Sequence, residues 1–368
     1  MINVDFSCTG CGVCATVCQA NAIKMVYKNG FQYPEVDVNL CIKCNKCNIY
    51  CSKEEKYKES AYRIYYGNSN DIKIVKQSSS GGAFFEICKY CIEKRSSTAC
   101  VPVYETNRVV RRFILDTNEL ERYALGSKYI QCESFDKYNH VRDLLKKGEI
   151  VYFSGTPCQV AALKKYLDIE YPNLITQDII CHGVGSKVIF EKYLRSISHG
   201  RKVKKVSFRD KAKGWHSISI RIEFNNKKTY LRKHTKDRFM KLYSGNFILR
   251  PSCYNCNFKG RNRCSDLTLA DFWGADKVIG TKNDEGISLI IANSVKGNEL
   301  IGKADLSLKE LYTDEALNYN PVYSVSVKKR KGYDKEVESL INSKSFCIPY
   351  IKLRFHLFVE RVINRLGR

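Results

Sequence analysis

The chain has 368 residues, 44% of them hydrophobic, and a formal net charge of +24 at pH 7. That length suggests about two domains, and it argues against a short secreted module stapled by disulfides. The composition is that of a globular protein rather than a disordered or fibrous one, no stretch of about 18 apolar residues reads as a membrane span, and Met1–Asp5 shows no signal peptide, so the expected location is the cytoplasm.

The first distinctive stretch is Cys8-x2-Cys11-x2-Cys14-x3-Cys18, repeated at the same spacing as Cys41-x2-Cys44-x2-Cys47-x3-Cys51. In the bacterial ferredoxin pattern the fourth cysteine of each run ligates the other cluster. The expectation is two 4Fe-4S clusters, one on Cys8, Cys11, Cys14 and Cys51, the other on Cys41, Cys44, Cys47 and Cys18. Structural zinc usually spaces its ligand pairs further apart. Gln19 and Ser52 stand where the pattern usually has proline, which weakens turn rigidity and removes no ligand. Between the runs, Ala22–Tyr27 and Phe31–Val36 read as a hairpin around Asn29-Gly30.

Residues 1–55 hold five Lys (24, 28, 43, 46, 53) against five acids (5, 35, 37, 54, 55), a net charge of zero, so the basic excess lies in 56–368. Cluster-bound thiolates would make the first module acidic beside a basic body. That balance suits docking of an acidic ferredoxin or flavodoxin as electron donor. No helix-turn-helix, zinc finger or RNP run accompanies the charge, so nucleic acid is not the expected partner.

A boundary is expected in Tyr57–Ser69, and beyond it strand-like and helix-like segments alternate. Ile72–Val75 reads as a strand, Ala83–Lys94 as a helix, Ala99–Tyr104 and Val109–Leu115 as strands and Phe135–Lys147 as a helix. Strand Ile150–Phe153, helix Cys158–Leu167, strand Leu174–Ile180 and helix Lys187–Ser198 continue the series. A meander over Val203–Phe208, Ile218–Phe224 and Lys228–Arg232 and strands Leu267–Phe272 and Ile287–Ala292 follow. The predicted fold is α+β or α/β, with a small ferredoxin-like domain (1–56), a large mixed α/β domain (70–330) and a basic tail (331–368).

Three loops carry chemistry. Ser78-Ser79-Ser80-Gly81-Gly82 before a helix suits a phosphate cradle or a flexible loop. Ser154-Gly155-Thr156-Pro157-Cys158-Gln159 and Cys181-His182-Gly183 put two cysteines at neighbouring strand ends. Cys253-x2-Cys256 needs two more ligands, which Cys158 and Cys181 could supply, with Cys264 the competitor; a structural zinc on Cys253, Cys256 and Cys264 is the alternative. Cys88, Cys91, Cys100, Cys132 and Cys347 read as buried thiols. His182 and His216 are proton-donor candidates or structural histidines, and Asp271 orients a cofactor or caps a turn.

The ordered series Ser80-Gly81-Gly82, Gly126-Ser127-Lys128-Tyr129, Gly155-Thr156-Pro157-Cys158-Gln159, Cys181-His182-Gly183, Pro251-Ser252-Cys253-x2-Cys256 and Ser265–Gly274 resembles the beta-subunit family of deazaflavin coenzyme F-420 hydrogenases and dehydrogenases, in the branch with an N-terminal ferredoxin domain. The resemblance implies FAD in the large domain near Ser80, Gly81, Gly82, Ser127, Lys128 and Thr156. It also implies a third 4Fe-4S cluster on Cys158, Cys181, Cys253 and Cys256, with Cys264 outside. The implied function is an iron–sulfur flavoprotein oxidoreductase passing electrons to an organic substrate or the deazaflavin coenzyme, similar to members found near surface-polysaccharide genes. A non-catalytic electron-transfer subunit feeding a partner enzyme is the alternative.

In the tail, Ile351, Phe355, Phe358, Val359, Val362 and Leu366 share a helical face; Lys352, Arg354, Arg361 and Arg368 flank it or lie opposite, and Arg365 is close to its edge. Residues 328–368 hold eleven Lys/Arg against four Asp/Glu, net +7. Such a helix packs on the domain or lies on the inner face of an anionic membrane.

Overall fold

The computed structural model describes residues 2–55, 57 and 62–366. Its centre is a nine-stranded mixed sheet. In order across the sheet the strands are Lys309–Leu311, Arg63–Gly67, Ser288–Ala292, Leu267–Asp271, Leu174–Ile179, Val151–Ser154, Thr98–Glu105, Arg108–Ile114 and Cys132–Glu133. Leu267–Asp271, Leu174–Ile179, Val151–Ser154 and Thr98–Glu105 run parallel. These strands are buried along most of their length because helices cover both faces. Helix Ala83–Arg95 closes one face, with Ile87, Cys88 and Cys91 fully buried. Helices Tyr138–Lys146 and Pro157–Leu167 close the other.

The meander forms a separate three-stranded sheet of Val203–Asp210, Ser219–Phe224 and Thr229–Lys233. It shares a core with helices Lys187–Ser198 and Arg238–Ser244 and with the C-terminal helix Cys347–Leu366.

Two expectations near the boundary are corrected. Ile72–Gln77 is a helix, capped by the Asp71 side chain, not a strand. A run of β-branched residues could not outweigh a good N-cap in a segment with no strand neighbour. The strand lies earlier, at Arg63–Gly67, an inner strand between Ser288–Ala292 and Lys309–Leu311. The large domain therefore begins by Arg63 rather than at residue 70. Part of the expected boundary, residues 58–61, lies outside the described residues, as does Lys56.

The N-terminal module is a hairpin, Ile23–Lys28 with Phe31–Val36, between two cysteine loops that each end in a one-turn helix, Val13–Thr16 and Lys46–Ile49. The hairpin turns through Asn29 and Gly30, both at positive φ. The module is packed onto the large domain through its first cysteine loop. Val13 is fully buried beside Tyr138, Val141 and Val160. Thr16 Oγ1 donates to Phe135 O at 2.9 Å, and Tyr138 Oη donates to Cys11 O at 3.2 Å.

Candidate functional site

Cysteine side chains gather in three places. Cys8, Cys11, Cys14 and Cys51 form the first group: the thiols of Cys11 and Cys14 are raised first by burial and then by the charges of the other group members. Cys18, Cys41, Cys44 and Cys47 line a second small cavity. The runs thus cross over, each lending its fourth cysteine to the other. Cys158, Cys181, Cys253 and Cys256 line a third cavity. Cys264 stands apart, its thiol influenced by Asp178, Lys164 and Tyr57 rather than by any of these cysteines.

The third group is built by local sequence logic. Thr156 and Gln159 form a capping box with Pro157 in the first turn, which turns Cys158 toward the cavity at the start of its helix. Cys181 follows the end of strand Leu174–Ile179, and Cys253 lies in a 3-10 turn beginning at Pro251. Burial raises the Cys181 thiol to about 12 and the Cys253 thiol to about 11, with neighbouring thiols adding to the effect and Lys259 opposing it. Four thiolates held this close together need a compensating positive centre, which is what iron supplies. Among the described residues no three His, Cys, Asp or Glu side chains converge closely enough for a single metal ion.

The first and third groups are contiguous. Thr9, which lies between Cys8 and Cys11, lines the third cavity together with Arg250, and Arg250 also hydrogen-bonds the first loop. Arg250 is fully buried. It donates to Cys8 O, Gln131 Oε1 and Gln32 O, each at 2.8 Å, and its Nη2 lies 3.8 Å from Cys8 Sγ. The buried Arg209 and Arg263 are paired with Asp271 and Asp178. Among the described residues Arg250 has no carboxylate partner. Such a charge is costly unless something negative lies near it, and the thiolates of a cluster meet that need. Arg111, also without a carboxylate partner among the described residues, braces the Ser154–Gln159 loop through Ser154 O and Gln159 Oε1. Sequence reading missed Arg250; the available signal was its place just before Pro251-Ser252-Cys253.

At the C-terminal ends of the parallel strands lies a larger cavity of about 490 Å³. Ser80, Gly82, Ser127, Lys128 and Thr156 line it, together with Cys181, His182, Asp271 and Trp273. Gly81 does not; a Cβ there would collide with Asn68 and the Ser288 nitrogen, so this glycine presses on the sheet. The serine–glycine loop joins two helices rather than following a strand. His216 is exposed and outside the cavity, whereas His234, unnoticed in the sequence, lines it. Burial lowers the His182 and His234 pKa and brings the Lys128 ammonium down to about 7. Cys132, expected only as a core thiol, also lines the wall.

Among the described residues, Arg209 Nε and Nη2 and Asp271 Oδ1 are buried in this wall without hydrogen-bond partners. A polar ligand would satisfy them. Gly82, at positive φ, opens helix Ala83–Arg95 beside the same space, a geometry suited to an anion. These features suit a polar, anionic ligand.

Residues 148–315 match the family model for the C-terminal part of the coenzyme F420 hydrogenase/dehydrogenase beta subunit. The match covers rather less than half of the chain. Residues 4–24, which contain the first cysteine run, match the 4Fe-4S binding domain. The family match spans the third cysteine group and most strand ends around the large cavity, and it makes the chain an iron–sulfur oxidoreductase-type electron-transfer protein. A solved structure described as a xenon derivative of the F420-reducing [NiFe] hydrogenase complex from Methanosarcina barkeri is similar over 76% of this chain and 97% of that one, at 14% identity and a TM-score of 0.48. No curated protein matches the chain.

Proposed function

We propose that the protein is a flavin-dependent iron–sulfur oxidoreductase. In this reading it accepts electrons from an acidic ferredoxin or flavodoxin at the Cys18/Cys41/Cys44/Cys47 group and delivers them to an organic substrate or deazaflavin coenzyme in the 490 Å³ cavity. The observation that carries the reading is continuity. Thr9 and Arg250 join the first group to the third, and Cys181, His182 and Gly183 line both the third group's cavity and the large one. When bound, 4Fe-4S clusters would supply single-electron transfer, and FAD would supply exchange between single electrons and hydride.

Entry is favoured at the second group because Cys44 is exposed, with Lys43 next to it and the nearby chain positions Val38, Leu40, Ile42 and Ile49 also exposed. A small apolar patch with a basic residue suits brief contact with an acidic carrier. Arg250 and Lys259, whose Nζ donates to Cys181 O at 2.6 Å, place positive charge beside the first and third groups. In the large cavity the positive helix start at Gly82 and the Lys128 ammonium would hold a pyrophosphate, and Arg209 would donate to a polar ring edge. His182, hydrogen-bonded to Asn246 at 2.8 Å, would exchange a proton with a ligand there.

Anaerobic purification followed by iron, sulfide and flavin analysis tests the proposal. About twelve irons and one FAD per chain are expected; zinc without flavin would overturn it. Turnover of an added substrate by the reduced protein alone would exclude a role confined to feeding a partner enzyme.

A further inference from the structure

Helix Cys347–Leu366 uses only half its circumference to hold the fold. Tyr350, Leu353 and Leu357 are buried in the core shared with helix Arg238–Ser244. On the other side Ile348, Ile351, Phe355, Phe358 and Val362 are 61, 64, 67, 62 and 38% exposed. Their spacing of three and four residues makes one continuous apolar stripe. Such a stripe on a globular surface marks an interaction face. The residues expected at the end of this face, Arg365, Leu366 and Arg368, have side chains outside the described residues.

Along one edge of the stripe lies a cavity of about 270 Å³. Lys241, Arg330, Arg354 and Arg361 line it above an apolar floor that includes Leu353 and Leu357. Arg330 is paired with Glu360 at 3.3 Å. Among the described residues Lys241, Arg354 and Arg361 form no ion pair. Burial, then the charge of Arg354, lowers the Lys241 pKa, which registers like charges crowded together. Lys352 marks the far edge of the stripe, and the exposed run Lys328–Lys331 lies nearby in sequence. Among the described residues no helix is long and apolar enough to cross a membrane.

We propose that this corner docks on an anionic phospholipid surface, the apolar stripe entering the acyl boundary and the cationic cavity receiving a lipid phosphate. Apolar residues flanked by cations on a helix of low overall hydrophobicity are what an interfacial helix requires. A second copy of the chain is a poorer occupant, because a two-fold contact brings the same unpaired cations face to face. The two charge-bearing arginines sit at the stripe's border, so inserting the stripe brings them to headgroup depth.

The test is flotation of the full-length holoprotein with vesicles of phosphatidylcholine alone or containing phosphatidylglycerol, compared with F355S/F358S and R354Q/R361Q. Binding only to the anionic vesicles is expected. R354Q/R361Q should weaken it by roughly 25-fold, about fivefold per cation near the surface, and F355S/F358S should abolish it. The aromatic pair is exposed, so thermal melting of that variant should match the parent. Equal binding to neutral vesicles, no binding at all, or variants that bind like the parent would overturn the proposal. So would a lipid-free dimer dispersed by the same substitutions.

Discussion

The two N-terminal cysteine runs have one spacing and two environments. Gly10 and Gly12 in the first run and Lys43 and Asn45 in the second occupy equivalent positions, and all four have positive φ. Against the first run the protein presses closely: a Cβ on Gly10 would meet Arg250 at 2.6 Å, and one on Gly12 would meet Phe135 Cβ at 2.2 Å. The second run faces outward, and there the same backbone carries Lys43 and Asn45 at the cost of a left-handed conformation. Val13, buried, answers to Lys46 in the same way. One motif has thus become an inner station and an outer one. The difference is written in the residues between the cysteines, not in the cysteines.

The sharpest way to break this contrast is at the inner end. Cys253→Ser should lower the iron content from about twelve to about eight per chain while both N-terminal clusters persist; retention of all the iron would place the third cluster elsewhere. Arg250→Met comes next. It strips a buried cation from the inner run and orphans several acceptors, costing about 3 kcal/mol of stability by thermal melting. In an EPR-monitored redox titration the inner cluster should fall in potential, because positive charge favours the more negative reduced state, while the outer cluster stays unchanged. Equal shifts in both would erase the distinction.

Lys128 gives a pH signature at the far end of the path. With its ammonium brought down to about 7 by burial, it is a cation below that pH and neutral above it. Affinity of the flavin-free protein for the anionic FAD should therefore fall as pH rises through 7, by about fivefold for a loss of 1 kcal/mol. Lys128→Met should flatten this profile in a fluorescence titration. The smallest effect belongs to the outer surface. Leu40→Asp with Ile42→Glu should change stability by less than about 0.5 kcal/mol, yet slow reduction by an acidic ferredoxin in stopped flow. An unchanged rate would move the entry point away from Cys44.

Much of the sheet was readable because its inner strands are short apolar runs separated by amphipathic helices, such as Val151–Ser154 before Pro157–Leu167. Ile72–Gln77 was misread because a β-branched run looks the same in a helix that is capped and half-buried. Arg63–Gly67, placed in a linker, earns its strand only from neighbours more than two hundred residues away. The cavity residues Ser80, Lys128 and Thr156 came from recognisable motifs, whereas Arg209 sits on the meander and His234 just after it, and neither had a local signature.

The sequence by itself determined the chemistry: the spacing of Cys8–Cys51 reflects the reach of a thiolate to a cluster, a local property of a short loop. It also determined the apolar stripe of the last helix, because helical periodicity is local. Only the tertiary structure decided which run lies inward, that Arg250 stands between Cys8 and the Cys253 group, and that the stripe is left uncovered. Each depends on contacts between residues far apart in the chain, where burial and the pairing of charge are settled by the whole fold.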